Sequence, residues 1–154
     1  MPSWSTFADA APALAQRARA RLDAHVHKTL ATVRADGSPR ISGIETRWLE
    51  GDLYVGSMPG ARKALDLRRD PRFALHSGSE DPPAWPGDAK LAGVAHEVTD
   101  DEAVRLAILA GTPDADAHVF RLDLREVSTV HVEDDVLVVE VWTPARGLRR
   151  IERT

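Results

Sequence analysis

The residues with the most chemical potential lie together in Gly56-Ser57-Met58-Pro59-Gly60-Ala61-Arg62-Lys63. A β-like run ends there, two Gly and a Pro shape a turn, and Arg-Lys opens the next segment. At a helix start the backbone N–H groups are unpaired and carry partial positive charge. Arg grips phosphate in bidentate fashion, and Lys adds a point charge. Two cations at a helix start oppose its dipole, a conflict that an anion between them resolves. The same octapeptide also reads as a solvated basic turn, and the spacing alone leaves both readings open.

Other chemistries find less support. The chain has no Cys, which excludes disulfides, thiolate nucleophiles and Cys-ligated zinc. It has no Gly-x-Ser-x-Gly elbow and no Gly-x-Gly-x-x-Gly or Walker segment, so serine hydrolysis and Rossmann or P-loop nucleotide binding are not expected. His25 and His27 would share one face of a strand. His76, His96, His118 and His131 fall on separate segments, so no metal site is expected. Asp100-Asp101-Glu102 reads as helix capping and Glu133-Asp134-Asp135 as a turn, rather than as a general acid/base pair.

The elements that would position the octapeptide follow from hydrophobic period. Phe7, Ala11, Leu14, Ala18 and Leu22 recur at steps of three and four, which predicts an N-terminal helical segment over residues 1–25. Pro12 suits a first helical turn and places a break near Ala11. Arg17 and Arg21 fall on the opposite side, as a solvated face or an anion patch. The period then drops to two. Strands are expected over 28–34, 39–49 and 53–57, joined by the Asp36-Gly37 and Glu50-Gly51-Asp52 turns into an antiparallel meander. A short helix should follow Gly60 and end before Asp70-Pro71. Further strands are expected over 72–77, 89–98, 117–124, 126–132 and 136–142, with a capped helix over 101–110. Residues 78–88 form a Pro/Gly loop carrying Trp85, either a substrate-side wall or simple loop packing. Many short antiparallel strands close best as a barrel, because closure removes exposed edges. The expected domain is single and mainly β with helices: barrel over 28–143, C-terminal tail over 144–154.

Bulk properties fit such a domain. The 154 residues are 43% hydrophobic and 29% charged, as in a folded globular chain. Lys+Arg number 20 against 24 Asp+Glu, and the net charge of −4 argues against general nucleic-acid binding. No window approaches the ~18 apolar residues of a membrane span. The N-terminus lacks the charged-then-apolar layout of a signal peptide, so a cytoplasmic location is expected.

The stretch PRISGIETRWLEGDLYVGSMPGARKALDLRRDPRFALHS resembles the pyridoxamine-5′-phosphate-oxidase-like family of FMN-binding split β-barrel proteins. The matching features are a strand pair, a small-residue turn, Arg-Lys opening a short helix, then Asp-Pro-Arg and a strand. The resemblance runs from about Lys28 to Trp142. It implies a homodimer holding FMN, or a related deazaflavin coenzyme, in a groove between subunits, for redox chemistry on a small molecule. By the same resemblance Arg62 and Lys63 hold the cofactor phosphate. Arg40, Ile41, Ser42 and Gly43 run beside the ring, and Ser57 and Met58 lie near the phosphate and ribityl chain. Trp142 and Arg146 approach the cofactor from the second subunit, unless Trp142 is a core aromatic. A deazaflavin-dependent reductase and a cofactor-binding or sequestering protein without turnover are the alternatives.

This chain departs from the oxidases in three places. The family's phosphate-contacting serine before Arg-Lys is Ala61. Glu45 stands where the oxidases carry a lysine late in the second strand, with Arg47 two positions on. The C-terminal Arg-Leu-x-Pro segment that binds substrate has no clear match. No appreciable oxidation of pyridoxamine phosphate is therefore expected. A steady-state assay giving turnover near the ordinary enzyme median of ~10 s⁻¹ would overturn that expectation.

Overall fold

The computed structural model describes residues 1–154. Two helices open the chain, α1 (Trp4–Ala10) and α2 (Pro12–Asp23). Ser3 caps α1 by accepting from the Thr6 N–H at 3.3 Å, and Pro12 starts α2 at a position where no N–H is needed. The predicted stripe is buried throughout: Phe7, Ala11, Leu14, Ala18 and Leu22 are all at most 3% exposed.

Nine strands and two more helices follow. They are β1 (Lys28–Val33), β2 (Pro39–Ile44), β3 (Thr46–Leu49), β4 (Asp52–Ser57), α3 (Arg62–Arg69), β5 (Arg72–His76), β6 (Asp88–Glu97), α4 (Glu102–Ile108), β7 (His118–Glu133), β8 (Val136–Thr143) and β9 (Gly147–Arg153). All pairings are antiparallel, in the order β2-β1-β5-β6-β7-β4-β3, with β8 on β7 and β9 on β8. The fold is a split β-barrel, an antiparallel sheet that curls without closing.

Three expectations change. Residues 39–49 do not form one strand, because the pairing switches at Glu45. β2 pairs with β1 (Ile44 opposite Lys28), whereas β3 pairs with β4 (Thr46 opposite Val55). The run therefore serves both halves of the barrel and leaves a seam between them. The two strands expected over 117–124 and 126–132 are one, the 16-residue β7 (His118–Glu133). Its irregularity is a bulge: Ala92 pairs with Glu126 and Gly93 with Leu124, so Arg125 has no opposite number. Gly93 is required there, since a Cβ would sit 1.8 Å from the Asp123 carbonyl oxygen. Finally, the C-terminal tail over 144–154 contains a ninth strand. β9 returns along β8, with Trp142 opposite Leu148.

One cluster of 23 buried residues joins α1, α2 and both halves of the sheet. Phe7 sits at its centre, 4.9 Å from the Trp142 ring and edge-on to Trp4 at 5.1 Å. Trp4 meets Trp48 edge-on at 4.7 Å. Trp48 donates to Asp23 at 2.8 Å, and the Arg19 guanidinium covers its face at 4.2 Å. A smaller cluster of Tyr54, Ile108 and Val119 seats α4 on the outside of β4 and β7. The Asp101 side chain caps α4 by accepting from the Val104 N–H, within the acidic run read as helix capping. No helix is long and apolar enough to cross a membrane. Phe7→Ala should lower unfolding free energy by about 3–5 kcal/mol, as aromatic truncations in packed cores do. Urea melts showing a loss of less than about 1 kcal/mol would mean the helices are not integral to the core.

Candidate functional site

The seam between β2 and β3 opens onto a cavity of about 410 Å³, within the range of small-molecule sites. Gly43, Ile44 and Glu45 form one wall, and Gly56, Ser57 and Met58 at the end of β4 form the facing one. Lys63 enters from α3, and Ile108 of α4, Leu109 just after it and the loop through Thr112 and Asp114 add to the lining, as do His27 and Arg47.

The Met58–Ala61 turn has Pro at its second position and Gly60 at its third with φ +72°, and closes with Ala61 N–H to Met58 O at 3.1 Å. That is the residue pattern of a type II turn. It delivers Arg62 and Lys63 as the first residues of α3. Neighbouring helix residues project about 100° apart, and here they face different concavities. Lys63 lines the seam cavity. Its ammonium donates to the Gly43 carbonyl at 2.8 Å, on the free edge of β2, and makes no ion pair. Burial without a carboxylate pushes its pKa down. Ser57, 8% exposed, has a buried hydroxyl with no hydrogen-bond partner. A cation without a carboxylate partner and a hydroxyl without any partner thus converge on one cavity.

Arg62 lines a second concavity of about 320 Å³ with Arg34, Arg40 and Arg69. Arg40 and Arg69 are engaged there by Asp66, which is 3% exposed. Its carboxylate accepts from Arg40 at 2.7 Å, Thr32 at 2.8 Å and Arg69 at 3.0 Å. Burial acts against the charge, but these three bonds together outweigh it and hold the carboxyl below its ordinary pKa. Arg34 and Arg62 make no ion pair.

The remaining expected residues are dispersed. Ile41 is 75% exposed on the edge strand, with Ser42 half-buried beside it. Trp142 lies in the core, 4% exposed, and Arg146 is exposed in the β8–β9 turn. Neither lines either concavity, nor does Trp85. Arg17 is not free as an anion patch, because its guanidinium pairs with Glu140 of β8, which is 7% exposed. Five of the six histidines go to separate carboxylates, His27 to Glu45, His76 to Asp88, His96 to Asp123, His118 to Glu97 and His131 to Glu133, while the buried Nδ1 of His25 has no hydrogen-bond partner. Two features were missed from sequence. Asp66 had a signal, being the one acid between Arg62-Lys63 and Arg68-Arg69. The His118–Glu97 pair had none, since 21 residues separate its members.

Residues 14–131 match the family profile of pyridoxamine 5′-phosphate oxidase. The chain belongs to that family. Among curated proteins, none matches the sequence significantly. Solved structures share the fold. The heme binding protein of Mycobacterium smegmatis is 25% identical with a TM-score of 0.63, covering 92% of this chain and 57% of that longer one. A pyridoxamine 5′-phosphate oxidase-related, FMN binding protein of Nostoc punctiforme is 16% identical, TM-score 0.60, over 95% of each chain. PhzG of Burkholderia lata, solved with tetrahydrophenazine-1-carboxylic acid, is 14% identical, TM-score 0.64, covering 99% of this chain and 94% of that one.

Asp66 gives this pyridoxamine 5′-phosphate oxidase family member a testable acid dependence. Asp66→Asn should lower stability by about 1.5–3 kcal/mol at neutral pH, the range for bonds to a charged group. Because the carboxyl titrates lower folded than unfolded, its contribution is complete above the ordinary value of 3.8 and is lost as pH falls through the lower folded value. The gap between wild type and variant should therefore narrow below pH 3.8. Denaturant melts in which the gap is constant from neutral pH into acid would refute this.

Proposed function

We propose that the seam cavity binds a phosphate-bearing flavin-type cofactor, FMN or a deazaflavin coenzyme, for oxidoreductase chemistry on a small molecule. The observation that carries this reading is the convergence of Lys63, without a carboxylate partner, and the Ser57 hydroxyl, without any partner, on one cavity at a strand-end-to-helix turn. A buried unpaired hydroxyl costs roughly 1–3 kcal/mol, and a phosphate oxygen would satisfy both groups. The residues present therefore fit the group.

Lys63 and Ser57 would hold the phosphate. Arg62, at the same helix start but facing the second concavity, would reach an anion lying across the start of α3. The free edge of β2 over 40–43 would orient the ring through backbone groups, because β1 is that strand's one hydrogen-bonded neighbour. Gly43 leaves the approach open, with nothing within 4 Å of where a Cβ would be. When bound, the cofactor supplies hydride transfer, and the protein supplies grip, orientation and a shaped cavity. A second copy of the chain would cover the exposed Met58 of the cavity lining and the exposed Ile41 on the edge of β2, in keeping with a homodimer.

Fluorescence titration with FMN and, separately, a deazaflavin coenzyme tests the assignment. Lys63→Ala should weaken binding about ten- to a hundredfold, the loss of one charge-assisted bond. Ligand-free stability should change by no more than about 0.5 kcal/mol. A similar loss in Arg62→Ala would place the phosphate across the start of α3. Tighter binding of the deazaflavin would favour the reductase alternative, and binding without turnover the sequestering one. Equal flavin affinities in wild type and Lys63→Ala would remove the phosphate role, and uptake of hemin with no flavin bound would reject the flavin reading.

A further inference from the structure

The turn that presents Ser57 and Lys63 has a weak point. Ala61, the residue before α3, offers no side chain to cap the helix, so the helix start must be fixed from outside. A ring from β7 does this. His118, 7% exposed and directly across from Ser57 in the β4–β7 pairing, accepts the Gly60 N–H on Nε2 at 3.1 Å. A backbone N–H can only donate, so Nε2 carries no proton and Nδ1 does. Nδ1 faces Glu97 Oε1 of β6 at 2.8 Å. Glu97 accepts from two guanidinium nitrogens of Arg68 from α3, Nε at 2.6 Å and Nη2 at 2.8 Å. The Arg68 bond is the main cause holding the Glu97 carboxyl below its ordinary pKa, which keeps it an acceptor and fixes the tautomer.

We propose that His118 is the positioning residue of the cofactor-phosphate turn: its neutral imidazole, oriented by Glu97 and Arg68, holds Gly60 and thereby keeps Ser57 and Lys63 converged on the cavity. This rests on the reading of the cavity as a cofactor site. The relay runs from the loop before α3, through β7 and β6, and back to the last turn of α3. Both ends of the helix are thus tied to the sheet. The charged groups bonded into the relay are Glu97 from β6 and Arg68 from α3; β4 offers the uncharged Ser57, and Phe120 stacks on the ring at 6.3 Å. A doubly protonated imidazole has no acceptor to offer. Proton uptake by His118 therefore releases the Gly60 N–H and loosens the turn, so the protein binds its cofactor less well as the ring is charged.

Three full-length proteins test this: wild type, His118→Phe, which has no acceptor, and His118→Gln, whose amide oxygen accepts but does not titrate. FMN affinity is measured from pH 8 to pH 5, with hydrogen exchange of the Gly60 amide followed in the ligand-free proteins. The FMN phosphate itself titrates near pH 6, so the readout is the difference between proteins at each pH. His118→Phe should bind about two- to tenfold more weakly than wild type at pH 8, the worth of one neutral hydrogen bond. His118→Gln should restore affinity at pH 8 and lose less than wild type at pH 5. Gly60 should exchange faster in His118→Phe than in the other two at pH 8. Where His118→Phe does not fold, the wild-type and His118→Gln profiles decide alone. Identical pH profiles for those two proteins, or wild-type affinity in His118→Phe, would overturn the proposal. If wild type binds no flavin at any pH, the cofactor reading fails, and Gly60 exchange then decides the relay: faster in His118→Phe supports it, unchanged overturns it.

Discussion

Asp66 is a carboxylate 3% exposed, and it stays charged because β1, β2 and α3 each send it a donor: Thr32, Arg40 and Arg69. Desolvation alone would neutralise such a group or make its burial prohibitive. Three convergent bonds reverse that balance, and the position of α3 follows from them. The helix cannot rotate on the β1–β2 hairpin without leaving a buried charge unpaired. Its rotation decides which of Arg62 and Lys63 enters the seam cavity. One carboxylate, remote from the cavity, thereby determines that the ammonium faces in and the guanidinium faces the second concavity.

The seam is the second constraint. A continuous strand over 39–49 would have no change of partner and so no seam between β2 and β3. The switch of partner at Glu45 gives β2 a free edge and moves β3 to the other half of the sheet. Free strand edges invite pairing with foreign chains. Here Lys63 takes the Gly43 carbonyl, and Gly43 and Ile44 at the end of the strand border the cavity. An aggregation liability is thereby turned into a place where planar or anionic groups can meet backbone donors and acceptors. The β7 bulge at Arg125 serves the same geometry from the far side, since it adds local bend and twist to the strand that pairs with β4 in one half and β8 in the other.

Much of the architecture was legible in the sequence because its signals are local. Period 3.6 over Phe7 to Leu22, Pro12 at a helix start, the Asp-Gly turn and the Pro-Gly turn before Arg62 each report the backbone of their own few residues. The break at Glu45 left no such mark, because Ile44, Thr46 and Trp48 keep the alternation of an unbroken strand. The return of β9 along β8 was hidden for a related reason. Its residues are mostly exposed, so no alternation of burial is written into Gly147–Arg153.

For the site, the sequence by itself determined the chemical types: the Arg-Lys pair behind a Pro-Gly turn, a Ser at the strand end, and no cysteine or Rossmann or Walker motif to compete. Tertiary structure alone decided what each residue meets. Trp142 is buried against Phe7, Arg17 is matched to Glu140, Arg40 to Asp66, and His118 to Gly60 and Glu97. The Arg40, His118–Gly60 and Arg17 contacts span 26, 58 and 123 residues. The physical reason is the range of the forces. Turn chemistry and helix period act over a few residues and are encoded there. The partner of a buried charge is set by which strands pair, and that depends on the whole sheet.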